Sequence, residues 1–177
     1  MIVYLHSRGF VCEVAMIYSG ILSEEQKQGL KDLQKLFSWN DDQLDYLIAC
    51  MAFESGLDPK ARNSVSGAVG LIQFMPAICK AYGTTAQEMR RKSFVEQLPY
   101  VIEHFKPYYK RTKTLSDMYM AILMPKFIGK PENSPVFVNG KQYEQNKGLD
   151  LNKDYVVTKQ EAAKLVLRRY EQGKKYV

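Results

Sequence analysis

Residues 51–76 constrain the fold more than any other stretch. They read M-A-F-E-S-G-L-D-P-K-A-R-N-S-V-S-G-A-V-G-L-I-Q-F-M-P. The stretch opens inside a helical pattern. Leu44, Leu47, Ile48, Met51 and Ala52 recur at i, i+3, i+4, i+7 and i+8, which is an apolar stripe along one helix face. Asn40 followed by Gln43 is a capping pair that can start that helix. Gly56 can stop it in a left-handed conformation, and Pro59 prevents its continuation. Glu54 therefore falls at the edge of the apolar stripe, three residues after Met51. A carboxyl there is poorly solvated, so its charged form is disfavoured and its pKa should rise.

The rest of the chain reads as mainly helical. Ser23 with Gln26, Thr85 with Glu88 and Ser93 with Glu96 repeat the capping pattern. Leu30, Leu33, Leu36 and Phe37 give the first of these helices its core face. Pro76 suits a first helical position. Pro99 and Pro107 are expected to break their stretch into shorter helices. Residues 115–128 form a helix rich in Met and aromatic residues, which Pro125 should kink or end, and residues 158–172 form a last one. Residues 136–143 carry Asn139-Gly140, which suits a two-residue type I′ turn and predicts a local β-hairpin. Residues 2–5 fit a strand and residues 11–17 a helical turn.

With 177 residues and 46% hydrophobic content, the chain suits one domain with a real core. The expected organisation is a single domain over 1–177, with a core at about 23–130 and a smaller appendage at about 131–177. Cys12, Cys50 and Cys79 are an odd number without metal-ligand spacing, so buried thiols are expected rather than a disulfide framework. No apolar run reaches the ~18 residues of a membrane helix. Residues 1–22 are interrupted by His6, Arg8 and Glu13 and make a poor signal peptide.

The chemistry legible in residues 51–76 is that of a glycosidase acid beside a sugar-binding turn. Glycoside cleavage needs a proton delivered to the leaving oxygen as an oxocarbenium-like centre develops. A half-buried glutamate on a rigid helix supplies it if its pKa sits near the working pH. Gly67, Gly70 and small Ala68 would let the backbone approach a sugar. Gln73 offers a donor and an acceptor for an N-acetyl amide or a hydroxyl.

Glu54-Ser55-Gly56, Pro59, Gly67-Ala68-Val69-Gly70-Leu71-Ile72-Gln73 and Met75-Pro76 together resemble the soluble lytic transglycosylase family, which is related to goose-type lysozymes. That family's pattern is E-S-G, a proline, then G-A-x-G-L-[MI]-Q-x-M-P. The close match covers residues 51–76, and the helical layout extends it to about 40–130. The resemblance implies a mainly α, lysozyme-like fold acting on peptidoglycan glycan strands. It implies cleavage of the MurNAc-GlcNAc β-1,4 bond to a 1,6-anhydro product, with Glu54 as acid and then base. Ser55, Ser64, Gln73 and Phe74 fall at its substrate-binding positions. The family's third motif, A-Y-N-A-G, is not matched: residues 119–125 read Y-M-A-I-L-M-P, and Ile122 stands where the tyrosine is expected. Residues 121–131 look like those of phage-encoded members. This implies a phage lysis or virion enzyme, acting as a monomer or within a particle and reaching the periplasm or cell wall without a signal peptide.

Residues 150–161 resemble an EF-hand calcium loop. Asp150, Asn152 and Asp154 stand at positions 1, 3 and 5, Val156 offers a carbonyl at 7, and Glu161 stands at 12. Tyr155 occupies position 6, where glycine normally makes the turn and a positive φ is costly for tyrosine. The alternative is that Thr158 and Glu161 merely cap the last helix. Calcium is thus a candidate ligand, and no cofactor is required for the acid chemistry.

Two other functions remain open at this point: a lysozyme-type muramidase, in which water attacks instead of the sugar's own hydroxyl, and a non-catalytic wall-binding virion module. The net charge of +6 favours acidic partners. Nucleic acid is not among those expected, because the cations are dispersed and no recognition module is present. Residues 106–113 mix cations with Tyr108 and Tyr109 and read first as a solvated basic loop, second as a wall-binding patch.

Overall fold

A computed structural model describes residues 15–177. The strand expected at 2–5, most of the turn at 11–17, and Cys12 lie outside these residues.

The fold is built around one helix. Helix α1 (Glu24–Phe37) is capped by Ser23, and α2 (Asp41–Ser55) by Asn40, each through a reciprocal capping box. Helices α3 (Pro76–Ala81), α4 (Ala86–Arg91), α5 (Phe94–Phe105), α6 (Leu115–Leu123), α7 (Gly140–Asn146) and α8 (Lys159–Gly173) follow. Helix α2 packs against α1, α6 and α8. For that reason Ala49 and Cys50 are as inaccessible as the predicted stripe of Leu44, Leu47, Ile48 and Met51. The stripe is widened into a helix buried nearly all round. Asp45, buried on α2, accepts the Ile17 backbone N–H at 3.1 Å, and burial pushes its carboxyl up to about 6. Among the described residues no helix is long and apolar enough to cross a membrane.

Two local expectations are corrected. Helix α5 runs through Pro99 instead of breaking there. Pro99 is exposed, so its ring meets no packed neighbour on the outer face of the helix. By contrast, Pro125 ends the Met-rich helix as expected: α6 stops at Leu123 and a 3₁₀ turn, Pro125–Phe127, follows. The small antiparallel sheet is present, but not as a local hairpin. Strand β1 (Pro135–Val138) pairs with β2 (Val156–Thr158), and Asn139-Gly140 opens α7.

The C-terminal segment is tied to the core by charge as well as by packing. Lys159 is 2% exposed, and its Nζ lies 2.7 Å from Asp117 Oδ1 and 2.8 Å from the Lys130 carbonyl. Ala162, Ala163 and Val166 of α8 complete the apolar interior.

Candidate active site

Glu54 sits on the last turn of α2. Gly56 closes the helix at φ 65°, and its N–H and that of Leu57 return to the carbonyls of Ala52 and Met51. The expected stop signal is therefore the real one. The Glu54 side chain is largely buried, with an edge open to solvent. Burial raises its carboxyl from 4.5 to about 7, against the lowering effect of a hydrogen bond from the Tyr119 hydroxyl. Tyr119 projects from α6, is 2% exposed and meets the Phe53 ring edge-on at 5.5 Å. Burial, with Glu54 beside it, pushes its own phenol well above 10. Tyr119 thus stays a neutral donor, and the carboxyl it touches is poised to exchange a proton near neutrality.

The motif places its tyrosine at position 122, where Ile122 stands; the hydroxyl instead comes from Tyr119, one turn earlier on the same helix and outside the motif. Residues three apart share a helix face, so α6 still offers an aromatic hydroxyl to the carboxyl. The available signal was the Tyr119–Ile122 spacing together with the packing of α6 on α2.

The loop after α2 is held by Ser55 and Gln73, both expected at the substrate, and by Gln97, which the sequence did not single out. Ser55 Oγ donates to the Met51 carbonyl (2.9 Å) and the Leu71 carbonyl (3.0 Å), joining the helix end to the glycine-rich turn. Its role in this structure is a tether. Val69 and Phe74 pair across the turn through both backbone hydrogen bonds. Gln73 sits at its corner with φ 54°, and its Nε2 donates to the Gly70 carbonyl at 3.1 Å. A left-handed non-glycine corner stores strain of order 1–2 kcal/mol, a feature found disproportionately at ligand sites. The Gln73 carbonyl oxygen has no protein partner among the described residues.

Phe74, expected at the substrate surface, is a packing residue. It is 3% exposed and meets Tyr82 and His104 edge-on. Ser64 lies on the exposed turn closed by Asn63 Oδ1, which accepts from the Val65 and Ser66 backbone N–H groups. Gly70 is needed for an internal reason rather than for sugar approach. A Cβ there would fall 2.4 Å from Gln97 Oε1, and its φ is 76°. Gln97 is fully buried. Its Oε1 accepts the Leu71 N–H (2.9 Å), while its Nε2 donates to the carbonyls of Pro59 (2.7 Å) and Met89 (3.0 Å). One side chain of α5 thereby fixes both ends of the loop.

The loop at 150–161 is closed on itself. Asp150 accepts from the N–H groups of Lys153 and Tyr155 and from the Tyr143 hydroxyl at 2.7–3.0 Å. Tyr155 adopts the costly φ of 66° that a glycine would take freely. Asp154 accepts from Asn152 Nδ2 and from the Val156 N–H. Glu161 faces the start of α8, where Oε2 accepts from the N–H and hydroxyl of Thr158. Glu161 thus completes the capping box of α8 with Thr158. Among the described residues no group of three or more His, Cys, Asp or Glu side chains is arranged to hold a metal ion.

A mainly helical, lysozyme-like domain with a buried acid at the end of its central helix is the class that fold and site define. Residues 36–122 match the family model of the transglycosylase SLT domain, which supports a place in the soluble lytic transglycosylase, lysozyme-like family. The match spans α2 to α6 and so includes both Glu54 and Tyr119. No curated protein matches the chain. The match supports a peptidoglycan-acting function of the lytic transglycosylase type.

Proposed function

We propose that this chain is a lytic transglycosylase that cleaves the MurNAc-GlcNAc β-1,4 bond with Glu54 as its single general acid and base. The observation that carries the reading is the Glu54 carboxyl, raised to about 7 by burial and touched by the Tyr119 hydroxyl. In its neutral form it can protonate the glycosidic oxygen as the bond breaks. The resulting carboxylate, stabilised by Tyr119, then takes the proton from the 6-hydroxyl of the same MurNAc as that oxygen closes on C1. The product is a 1,6-anhydro sugar, and the acid is regenerated. No motif places a second carboxylate beside Glu54, which fits one-glutamate chemistry; a muramidase in which water attacks is the alternative, and the two differ in their products. Gln73, with its carbonyl oxygen unpartnered at a strained corner, is the side chain best placed to hold the sugar.

Mass spectrometry of muropeptides released from purified sacculi tests the reaction. Anhydro ends are the expected outcome, and reducing ends would assign the chain to the hydrolases. The phage-like residues 121–131 support a role in phage lysis or in the virion. Peptide mapping of purified particles would find the chain there or exclude the virion role.

A further inference from the structure

The loop that follows Glu54 has a second face. Lys60, Arg62, Gly67 and Val69 on that loop, with Arg90 and Arg91 on α4, line a pocket of about 730 Å³ that contains no carboxylate. Elsewhere on the surface, Lys27, Lys106, Lys147 and Lys174 are each paired with a glutamate one turn away. Among the described residues none of the four pocket cations has an ion-pair partner. Four like charges around one concavity repel each other and focus a positive potential into it.

The walls are held in place. Arg90 Nε donates to the Lys60 carbonyl at 2.8 Å, joining α4 to the loop. Behind them the fully buried Gln97 donates to the carbonyls of Pro59, just before Lys60, and Met89, just before Arg90. The pocket exists before any ligand arrives, so an anion pays little reorganisation to bind.

We propose that this pocket is an anion subsite for the peptide stems of peptidoglycan, which carry free carboxylates beside the glycan that Glu54 cleaves. The inference rests on peptidoglycan being the substrate. The same loop serves both sites: Val69 lines the pocket and pairs with Phe74, while Leu71, between them, is bound by Ser55 next to Glu54. Guanidinium groups suit carboxylates because their planar forks donate two parallel hydrogen bonds. A stem held here fixes the strand's register without contacting the reacting atoms.

The test uses the Glu54→Gln protein, so that binding is read without turnover. Its amide spectrum is followed by NMR during titration with the pentapeptide L-Ala-γ-D-Glu-L-Lys-D-Ala-D-Ala, with the same peptide fully amidated, and with an oligomer of glycerol phosphate. The acidic peptide should cause saturable shifts at Gly67 and Val69. Amidation, or the Arg62→Gln/Arg91→Gln change, should weaken its binding by roughly tenfold or more. Equal binding of the amidated peptide, unchanged binding by the arginine variant, or no binding at all would overturn the proposal. Tighter binding of the phosphate oligomer would reassign the pocket to phosphodiester polymers. Because no bond is cleaved in this assay, its outcome is separate from that of the muropeptide analysis.

Discussion

Replacing Glu54 by Gln should make the protein more stable and almost inactive, with the gain in stability depending on pH. A carboxyl whose pKa is 4.5 when unfolded and about 7 when folded binds its proton more tightly in the native state. Below pH 4.5 it is protonated in both states and contributes no pH-dependent term. As pH rises through this window the unfolded chain releases the proton first, and the native state loses relative stability. Above the folded value the full penalty is present, about 3 kcal/mol at 1.36 kcal/mol per pH unit. Glutamine keeps the shape, can still accept from Tyr119, and never ionises. Its advantage over the native residue should be near zero at pH 4 and about 3 kcal/mol at pH 8. For a chain of this length that is a rise in Tm of roughly 6–12 °C.

Paired melting curves at pH 4 and pH 8 read this directly. Asp45, also raised, titrates in both proteins and cancels from the difference. Activity on purified sacculi should fall by about 10²–10⁴, the usual worth of general acid catalysis. A variant no more stable than the native protein at pH 8, or stabilised equally at both pH values, would refute the buried-acid argument. Wild-type rates in the variant would refute the catalytic one.

Tyr119→Phe removes the bond that favours the charged carboxylate. The Glu54 pKa should rise further, moving the alkaline limb of the kcat/KM profile to higher pH; a fixed or lowered limb would count against the contact. Gly70→Ala drives a Cβ against Gln97 Oε1 at 2.4 Å on a backbone of φ 76°, and should destabilise by about 2 kcal/mol or more in urea titrations. Lys159→Met leaves Asp117 buried without its cation and should cost about 3 kcal/mol, measurable by the same titration. Cleavage should proceed equally in calcium and in chelator, since residues 150–161 supply no group to the acid step. Loss of activity in chelator at a temperature where the protein stays folded would overturn that expectation, and comparison with Asp150→Ala/Asp154→Ala would locate the ion.

What could be read from the sequence was what is decided within about one helical turn. The capping boxes at Ser23, Asn40, Thr85, Ser93 and Thr158 all formed, because cap and partner lie three residues apart and need no tertiary help. Glu54 could be found for a related reason: the period of the stripe fixes its angle on α2, and Gly56 fixes where α2 stops. Asn139-Gly140 shows the limit. Its turn propensity is real, yet β1 gains more by pairing with β2, across a loop already closed by Asp150 and Tyr143. A local preference worth about 1 kcal/mol yields to ladder bonds and the burial of Phe137 and Val157.

The unread part of the site depends on contacts that the linear sequence does not encode locally. Gln97 looks like any polar residue of an amphipathic helix, and only the folded loop shows that its amide meets four backbone groups. Tyr119 is more instructive, because a motif search reached the right helix and the wrong turn. Such a search assumes that the catalytic partner keeps its position in the string. The chemistry requires only that a hydroxyl reach the carboxyl, and a helix face offers that chance at either of two adjacent turns. With Ile122 at one turn and Tyr119 at the other, the face still presents a hydroxyl to the carboxyl while the string does not match. Swapping the two, Tyr119→Ile with Ile122→Tyr, asks whether reach or position matters. If the buried Tyr119 pocket against Phe53 sets the hydroxyl, the swapped protein should lose both stability and activity. If the helix face alone suffices, activity should survive.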